Sequence, residues 1–201
     1  MTLYQIKPAF QRLLRPMMFW LHKHHITPNH ITLSALALSF ITGGILAIFP
    51  DPGLFVLLPV VLFIRMALNA LDGMLARECN QKTSLGAILN ETGDVLSDVA
   101  LYLPFMLLPD SNAILILFML FCALMTEFCG VLAQTLTGNR SYTGPFGKSD
   151  RALVFGAWGL ALTFWPSLVQ WNNALWGMAT LLLLWTVVNR CRSAICQGET
   201  T

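Results

Sequence analysis

Charge is scarce in this chain: 11% of its residues are Asp, Glu, Lys or Arg, against about a quarter in ordinary soluble domains. With 56% hydrophobic residues as well, it cannot clothe a globule in polar side chains. That excludes a water-soluble domain, and nothing in the chain calls for nucleic acid. No Ser/Gly-rich linker and no internal repeat divides it, so one bundle accounts for all 201 residues. A disulfide framework is also missing. The five cysteines are odd in number. Cys122 and Cys129 lie in an apolar stretch, Cys79, Cys191 and Cys196 lie beside basic residues, and no zinc spacing links them. All five read as reduced thiols. The first 25 residues lack the apolar run of about 7–15 residues and the small-residue cleavage site of a signal peptide, so the start reads as retained.

What is there is hydrophobic length. Five apolar segments stand out, at roughly 31–49, 53–71, 113–133, 152–169 and 174–189. Most are near the ~20 residues needed to cross a bilayer. Residues 85–109 are apolar overall but contain Glu91, Asp94 and Asp98. The distribution of basic residues decides whether they cross. If they do, the N-terminus, the 77–84 loop, the 138–151 loop and the C-terminus share one side. That side then holds Lys7, Arg12, Arg15, Lys23, Arg77, Lys82, Arg140, Lys148, Arg151, Arg190 and Arg192, and the opposite turns hold no Lys or Arg. If they do not, the basic residues divide almost evenly. The positive-inside rule selects six crossings with both termini cytoplasmic. The fold class is therefore an all-α polytopic membrane protein. Before the first span, Phe10, Leu13, Leu14, Met17, Met18 and Leu21 favour one side of a helix and Lys, Arg and His the other. This reads as an interfacial amphipathic helix with Pro16 as a candidate break. His22, His24, His25 and His30 read as snorkelling interface residues.

Ionisable residues inside a membrane are costly and usually functional. Here they concentrate where the second span ends and the third begins. Helical periodicity puts Asn69 and Asp72 on one face, and Gly86, Asn90, Asp94 and Asp98 on another. The short connection brings the two faces together at the cytoplasmic side. Oxygen ligands from two helices suit Mg²⁺ or Mn²⁺. Arg65, Asp98 and Glu127 each lie roughly 16–18 Å along their helices, at about 1.5 Å per residue. Similar depth points to a buried polar network, an ion pair or triad, with a direct substrate role as the alternative.

These residues form a long, gapped pattern: Asp72, Gly73, Ala76 and Arg77, then eight residues, then Gly86, and Asp94. It resembles the signature of the CDP-alcohol phosphotransferases, Asp-x2-Asp-Gly-x2-Ala-Arg-x8-Gly-x3-Asp-x3-Asp. Pro28-Asn29-x2-Thr32, Glu127 in the fourth span, and the segment from Gly144 to Arg151 extend the resemblance along the whole chain. Two positions depart from it: the first and third aspartates are Asn69 and Asn90. In the family four aspartates hold two divalent ions, and the last is the proposed base. Here the formal charge of the set falls from about −4 to −2. Glu91 cannot replace Asn90, because helical neighbours point about 100° apart. Asp98, one turn deeper than Asp94, is the better-placed substitute.

The resemblance implies a single domain over residues 1–201: an interfacial helix at 1–28, a six-helix bundle at 29–190 and a cytoplasmic tail at 191–201. It implies transfer of a phosphatidyl group from CDP-diacylglycerol to a small alcohol, such as glycerol 3-phosphate, with release of CMP. It further implies Mg²⁺ or Mn²⁺ as cofactor, a homodimer, and the bacterial inner membrane. Asp94 would be the base. Asp72, Asp94, Asn69 and Asn90 would hold metal. Gly73, Ala76, Arg77, Gly86, Asn29 and Thr32 would meet nucleotide and phosphate, and Lys148, Arg151 and Arg140 the acceptor. A catalytically weakened protein that binds CDP-lipid is the alternative the asparagines suggest. An ion-coupled transporter would explain the intramembrane acids but not the gapped motif.

A reporter fused to the C-terminus tests the topology. An enzyme active only in the cytoplasm is expected to function there. A signal only from a periplasm-dependent reporter would reverse the assigned orientation.

Overall fold

The computed structural model of the protein describes residues 3–198, with side chains from Pro8 to Gln197. The first two residues of the expected interfacial helix and the last three of the expected tail lie outside the described residues. The described chain is helical, with seven α-helices: α1 (Leu3–Lys23), α2 (Pro28–Ile48), α3 (Leu57–Glu78), α4 (Ser84–Tyr102), α5 (Ala113–Thr137), α6 (Lys148–Phe164) and α7 (Asn172–Gly198). Short 3-10 turns at Pro52–Val56, Leu103–Leu107 and Pro166–Trp171 occupy one end of the bundle. Four stretches are long and apolar enough to cross a membrane: Pro28–Ile48, Pro52–Glu78, Ala113–Thr137 and Pro166–Gln197. The other two segments read as spans are α4, which carries three acidic residues, and α6, which has 17 residues.

Helix starts are set by local chemistry. Thr27 caps α2 in a reciprocal box with His30, and Pro28 occupies the first turn, where its missing N–H costs nothing. Thr83 caps α4 by accepting from Gly86 N at 2.9 Å. Asn112 caps α5 by accepting from Leu115 N at 3.1 Å. Gly138, at φ +74°, closes α5 in a left-handed conformation that a side chain would strain.

α2 packs between α3 and α4, α6 packs on α3, and α5 pairs with α7. The α2–α4 approach depends on Gly43: a Cβ there would overlap the backbone carbonyl of Ala100. The main core fills the half of the bundle near the 3-10 turns. A chain of ring contacts runs Phe55–Phe105–Trp176–Phe155–Tyr102, with centroid separations of 4.5, 4.7, 5.2 and 4.6 Å. Large apolar side chains point outward along every long helix, including Phe40, Phe63, Ile114, Phe121 and Leu181. Such a surface suits lipid rather than water.

α1 lies against α3. Leu14 and Met18 are buried in a second cluster with Ile31, Leu71, Met74 and Leu75. Leu13 and Met17, on the same expected stripe, remain exposed. Pro16 does not break the helix, which runs through both Pro8 and Pro16. Packing on both sides of Pro16 offsets the one hydrogen bond it removes.

Gly43→Val is expected to destabilise the bundle in detergent by about 1–3 kcal/mol, the usual range for overpacking. Gly44→Val carries the same helix-propensity change, but its Cβ meets nothing within 4 Å among the described residues, so it is expected to be near neutral. Thermal unfolding of both variants checks the difference. Equal loss would remove Gly43 as the determinant of the α2–α4 approach.

Candidate active site

Two glycines bring the motif residues close. A side chain at Gly86 would meet Asn29 Oδ1 at 2.8 Å and Thr83 Oγ1 at 3.0 Å. Gly86 therefore lets the start of α4 lie directly on the start of α2. The guanidinium of Arg77 lies over Gly73, within 3.3 Å of where a Cβ would stand. Thr27, Pro28, Asn29, Gln81 and Thr83 line an open pocket of about 270 Å³ beside this junction.

Deeper in, α2, α3, α4 and α6 converge on two aspartates. Asp72 is buried, and its Oδ2 accepts from the Thr32 hydroxyl at 2.8 Å. Asp94 is half-buried. Its Oδ1 accepts from Asn69 Nδ2 at 3.0 Å and forms a close ion pair with Lys148 Nζ. Arg65 Nη2 lies 3.6 Å from the same oxygen and donates to the Asp94 carbonyl at 2.8 Å. Asn90 sits one turn before Asp94, half-buried. Among the described residues no three His, Cys, Asp or Glu side chains gather as a metal-ligating group. The oxygen donors at this place are two carboxylates plus the amides of Asn69 and Asn90. All are hard ligands, which fits a divalent cation completed by substrate oxygens and water.

Behind this cleft runs an ion network. Arg65 donates to Asp98 Oδ1 at 2.6 Å. Arg151, 1% exposed, donates to Asp98 Oδ2 at 2.8 Å and to Glu127 Oε1 at 3.0 Å. Arg140 donates to Glu127 Oε2 at 2.9 Å and pairs closely with Glu91. Arg190 Nη1 lies 3.8 Å from Glu127 Oε2 and also donates to the Thr126 carbonyl. The 138–147 loop is fixed to α7 on this side, with Phe146 N donating to Thr186 Oγ1 at 3.0 Å. Gly147 N donates to Asp150 Oδ2 at 2.9 Å, so Asp150 caps α6 and sets where Lys148 begins.

The structure joins Asn69 to Asp94 and Thr32 to Asp72, rests Gly86 on Asn29, and leaves Asn90 one turn before Asp94. Ala76 is half-buried and Arg77 is exposed on the following turn of α3. It also joins Arg65, Asp98 and Glu127 in one network, linked through Arg151. Three expectations differ. Asp98 is not free to substitute for a missing ligand, because both of its oxygens are held by arginines. Arg151 is not an open acceptor-binding cation, because burial places its whole guanidinium on Asp98, Glu127 and Thr126. Arg140 is drawn back onto Glu91 and Glu127. Arg190 was missed. Its only sequence signal was a basic residue at the end of an apolar run, which topology alone explained.

Residues 25–188 match the family model described as CDP-alcohol phosphatidyltransferase. The chain is 71% identical to Inner membrane protein YnbA of Escherichia coli (strain K12), over 97% of each chain. It is 34% identical to the phosphatidylinositol phosphate synthase of Mycobacterium tuberculosis (strain ATCC 25618 / H37Rv), over 48% of this chain and 43% of that one. The crystal structure of the M. tuberculosis synthase PgsA1 with CDP-DAG bound superposes with a TM-score of 0.69 at 23% identity, covering 94% of both chains. A second PgsA1 structure, in complex with manganese and citrate, gives a TM-score of 0.71 at 22% identity, covering 89% of this chain and 87% of that one.

Removing one member of a buried ion network leaves the others uncompensated, typically at a cost of about 3–5 kcal/mol. Arg151→Met is expected to destabilise the protein on that scale. Arg15→Met breaks only the exposed Arg15–Glu78 pair at 3.1 Å and is expected to cost under about 1 kcal/mol. Thermal unfolding in detergent compares the two. A wild-type transition in Arg151→Met would show that the network does not hold the bundle.

Proposed function

The chain belongs to the CDP-alcohol phosphatidyltransferase family, and from that premise we propose that it transfers a phosphatidyl group from CDP-diacylglycerol to a small alcohol and releases CMP. The observation that supports this reading is that Asp72 of α3 is held by Thr32 of α2 and Asp94 of α4 by Asn69 of α3, on the helices that meet at the Asn29–Gly86 junction. In the membrane, six segments cross, α1 lies at the interface, and both termini face the cytoplasm. The charge distribution supports that arrangement.

Mg²⁺ or Mn²⁺ would be held by Asp72, Asp94 and the amide oxygens of Asn69 and Asn90. Bound there, a divalent ion supplies Lewis-acid stabilisation of the diphosphate and of the leaving phosphate. The protein's own groups do the rest. With Oδ1 of Asp94 held by Asn69 and Lys148, Oδ2 is left to take the proton of the acceptor hydroxyl. The alcohol oxygen forms a bond to the phosphatidyl phosphorus. The bond from that phosphorus to the bridging oxygen breaks, and CMP leaves with the electron pair. Asn29, Gly73, Gly86 and Arg77 line the side suited to nucleotide and phosphate, where the glycines admit close approach. Lys148 is the half-buried basic group on the side from which an anionic acceptor would come. A second reading, lipid binding with weakened turnover, is favoured by Asn69 and Asn90 standing where carboxylates would add ligand charge.

Purified protein with CDP-diacylglycerol, Mg²⁺ or Mn²⁺ and a panel of alcohols is expected to release CMP and form a new phospholipid, read by mass spectrometry. Asp94→Asn is expected to lower that rate by ~10²–10⁴-fold while the protein still unfolds cooperatively. Lipid binding without CMP release from any acceptor would favour the second reading. Near-normal release by Asp94→Asn would remove Asp94 as the base.

A further inference from the structure

The phosphatidyltransferase reading puts Lys148 on the acceptor side but gives no electrostatic account of its ion pair with Asp94. Lys148 is the first residue of α6, and its ammonium sits on Asp94 rather than in solvent. Its placement is built. Asp150 caps the helix from Gly147, and Thr186 fixes the preceding turn through Phe146. The side chains of Lys148 and Asp94 are 30% and 21% exposed, far less than the exposed Arg15–Glu78 pair. The same Asp94 oxygen receives the Asn69 amide at 3.0 Å. Asn69 therefore meets Asp94 as a donor, where a carboxylate would share a cation with it. The cleft holds two carboxylates, Asp72 and Asp94, and one fixed amine. Arg65 is shared between Asp98 at 2.6 Å and Asp94, whose Oδ1 lies 3.6 Å from it.

We propose that Lys148 is a resident cation on Asp94, occupying the electrostatic place of a second metal, so that the centre binds a single divalent ion. That ion is held from the Asp72 and Asn90 side, and the free oxygen of Asp94 keeps its part as base. The ammonium keeps Asp94 oriented and faces the diphosphate as a second positive charge. Lys148 is thus a positioning residue. A fixed ammonium needs no carboxylate ligands of its own, so neutral asparagines at 69 and 90 are compatible with it. Two divalent ions beside the ammonium would leave the two carboxylates far short of charge balance in a partly desolvated site.

The inference rests on the function proposed above, and its test separates the two. Wild-type protein in detergent is titrated with Mn²⁺ alone and followed by calorimetry and electron paramagnetic resonance. One ion per chain, with the spectrum of an isolated Mn²⁺, is expected. Lys148→Met is expected to bind that ion about tenfold more tightly, because a like charge has gone, whereas Lys148→Arg keeps wild-type affinity. Asn69→Asp alone is expected to remain at one ion. Asn69→Asp combined with Lys148→Met is expected to take two and to show a spin-coupled signal. Two coupled ions in the wild type, no Mn²⁺ binding, or unchanged affinity and ion number in the Lys148→Met variants would each overturn the proposal. Wild-type CMP release from CDP-diacylglycerol is measured separately. Its failure with one ion bound would overturn the transferase reading and leave the ion count standing.

Discussion

Arg151 stands at the start of α6 with a full positive charge in an almost wholly buried position, and that charge must be met inside the bundle. Asp98 and Glu127 meet it from α4 and α5. Asp98 also takes Arg65 from α3, and Glu127 also takes Arg140 from the 138–147 loop and faces Arg190 on α7. In a medium of low dielectric an unpaired ion is far costlier than a paired one. These helices are therefore locked in register by the requirement that every charge find its partner. The aromatic core in the other half supplies cohesion but little direction. The network supplies direction.

The cleft inherits its geometry from that lock. Arg65 binds Asp98 with one nitrogen and the Asp94 carbonyl with another, so the turn of α4 that presents Asp94 is fixed from behind. The cap that places Arg151 also places Lys148 three residues earlier. On the opposite wall, the missing side chain of Gly86 lets α4 rest on Asn29, and Thr32 reaches Asp72.

The asparagines change the balance of this site without dismantling it. Asn69 still reaches Asp94, now as a hydrogen-bond donor. Lys148 forms an ion pair with that same oxygen.

Much of this was determined by the sequence alone. Hydropathy and the one-sided distribution of Lys and Arg defined the helical segments, because lipid and membrane surface charge act on the chain residue by residue. The gapped motif identified the family and put Asp72 and Asp94 on facing helix turns, because helical periodicity is local. The start of α6 was also legible in outline, from the Gly-Lys-Ser-Asp-Arg run. Pairing was not legible. Arg140, Lys148 and Arg151 are equivalent in sequence, three cations near one loop. Only packing made Arg151 a buried strut, turned Arg140 toward Glu91 and Glu127, and set Lys148 on Asp94. Asp98 looked like a spare ligand until two arginines closed on it, and Arg190 carried only the signal of a basic residue after an apolar run. Which charge meets which depends on helices far apart in the chain, and the low dielectric between them made those encounters decisive.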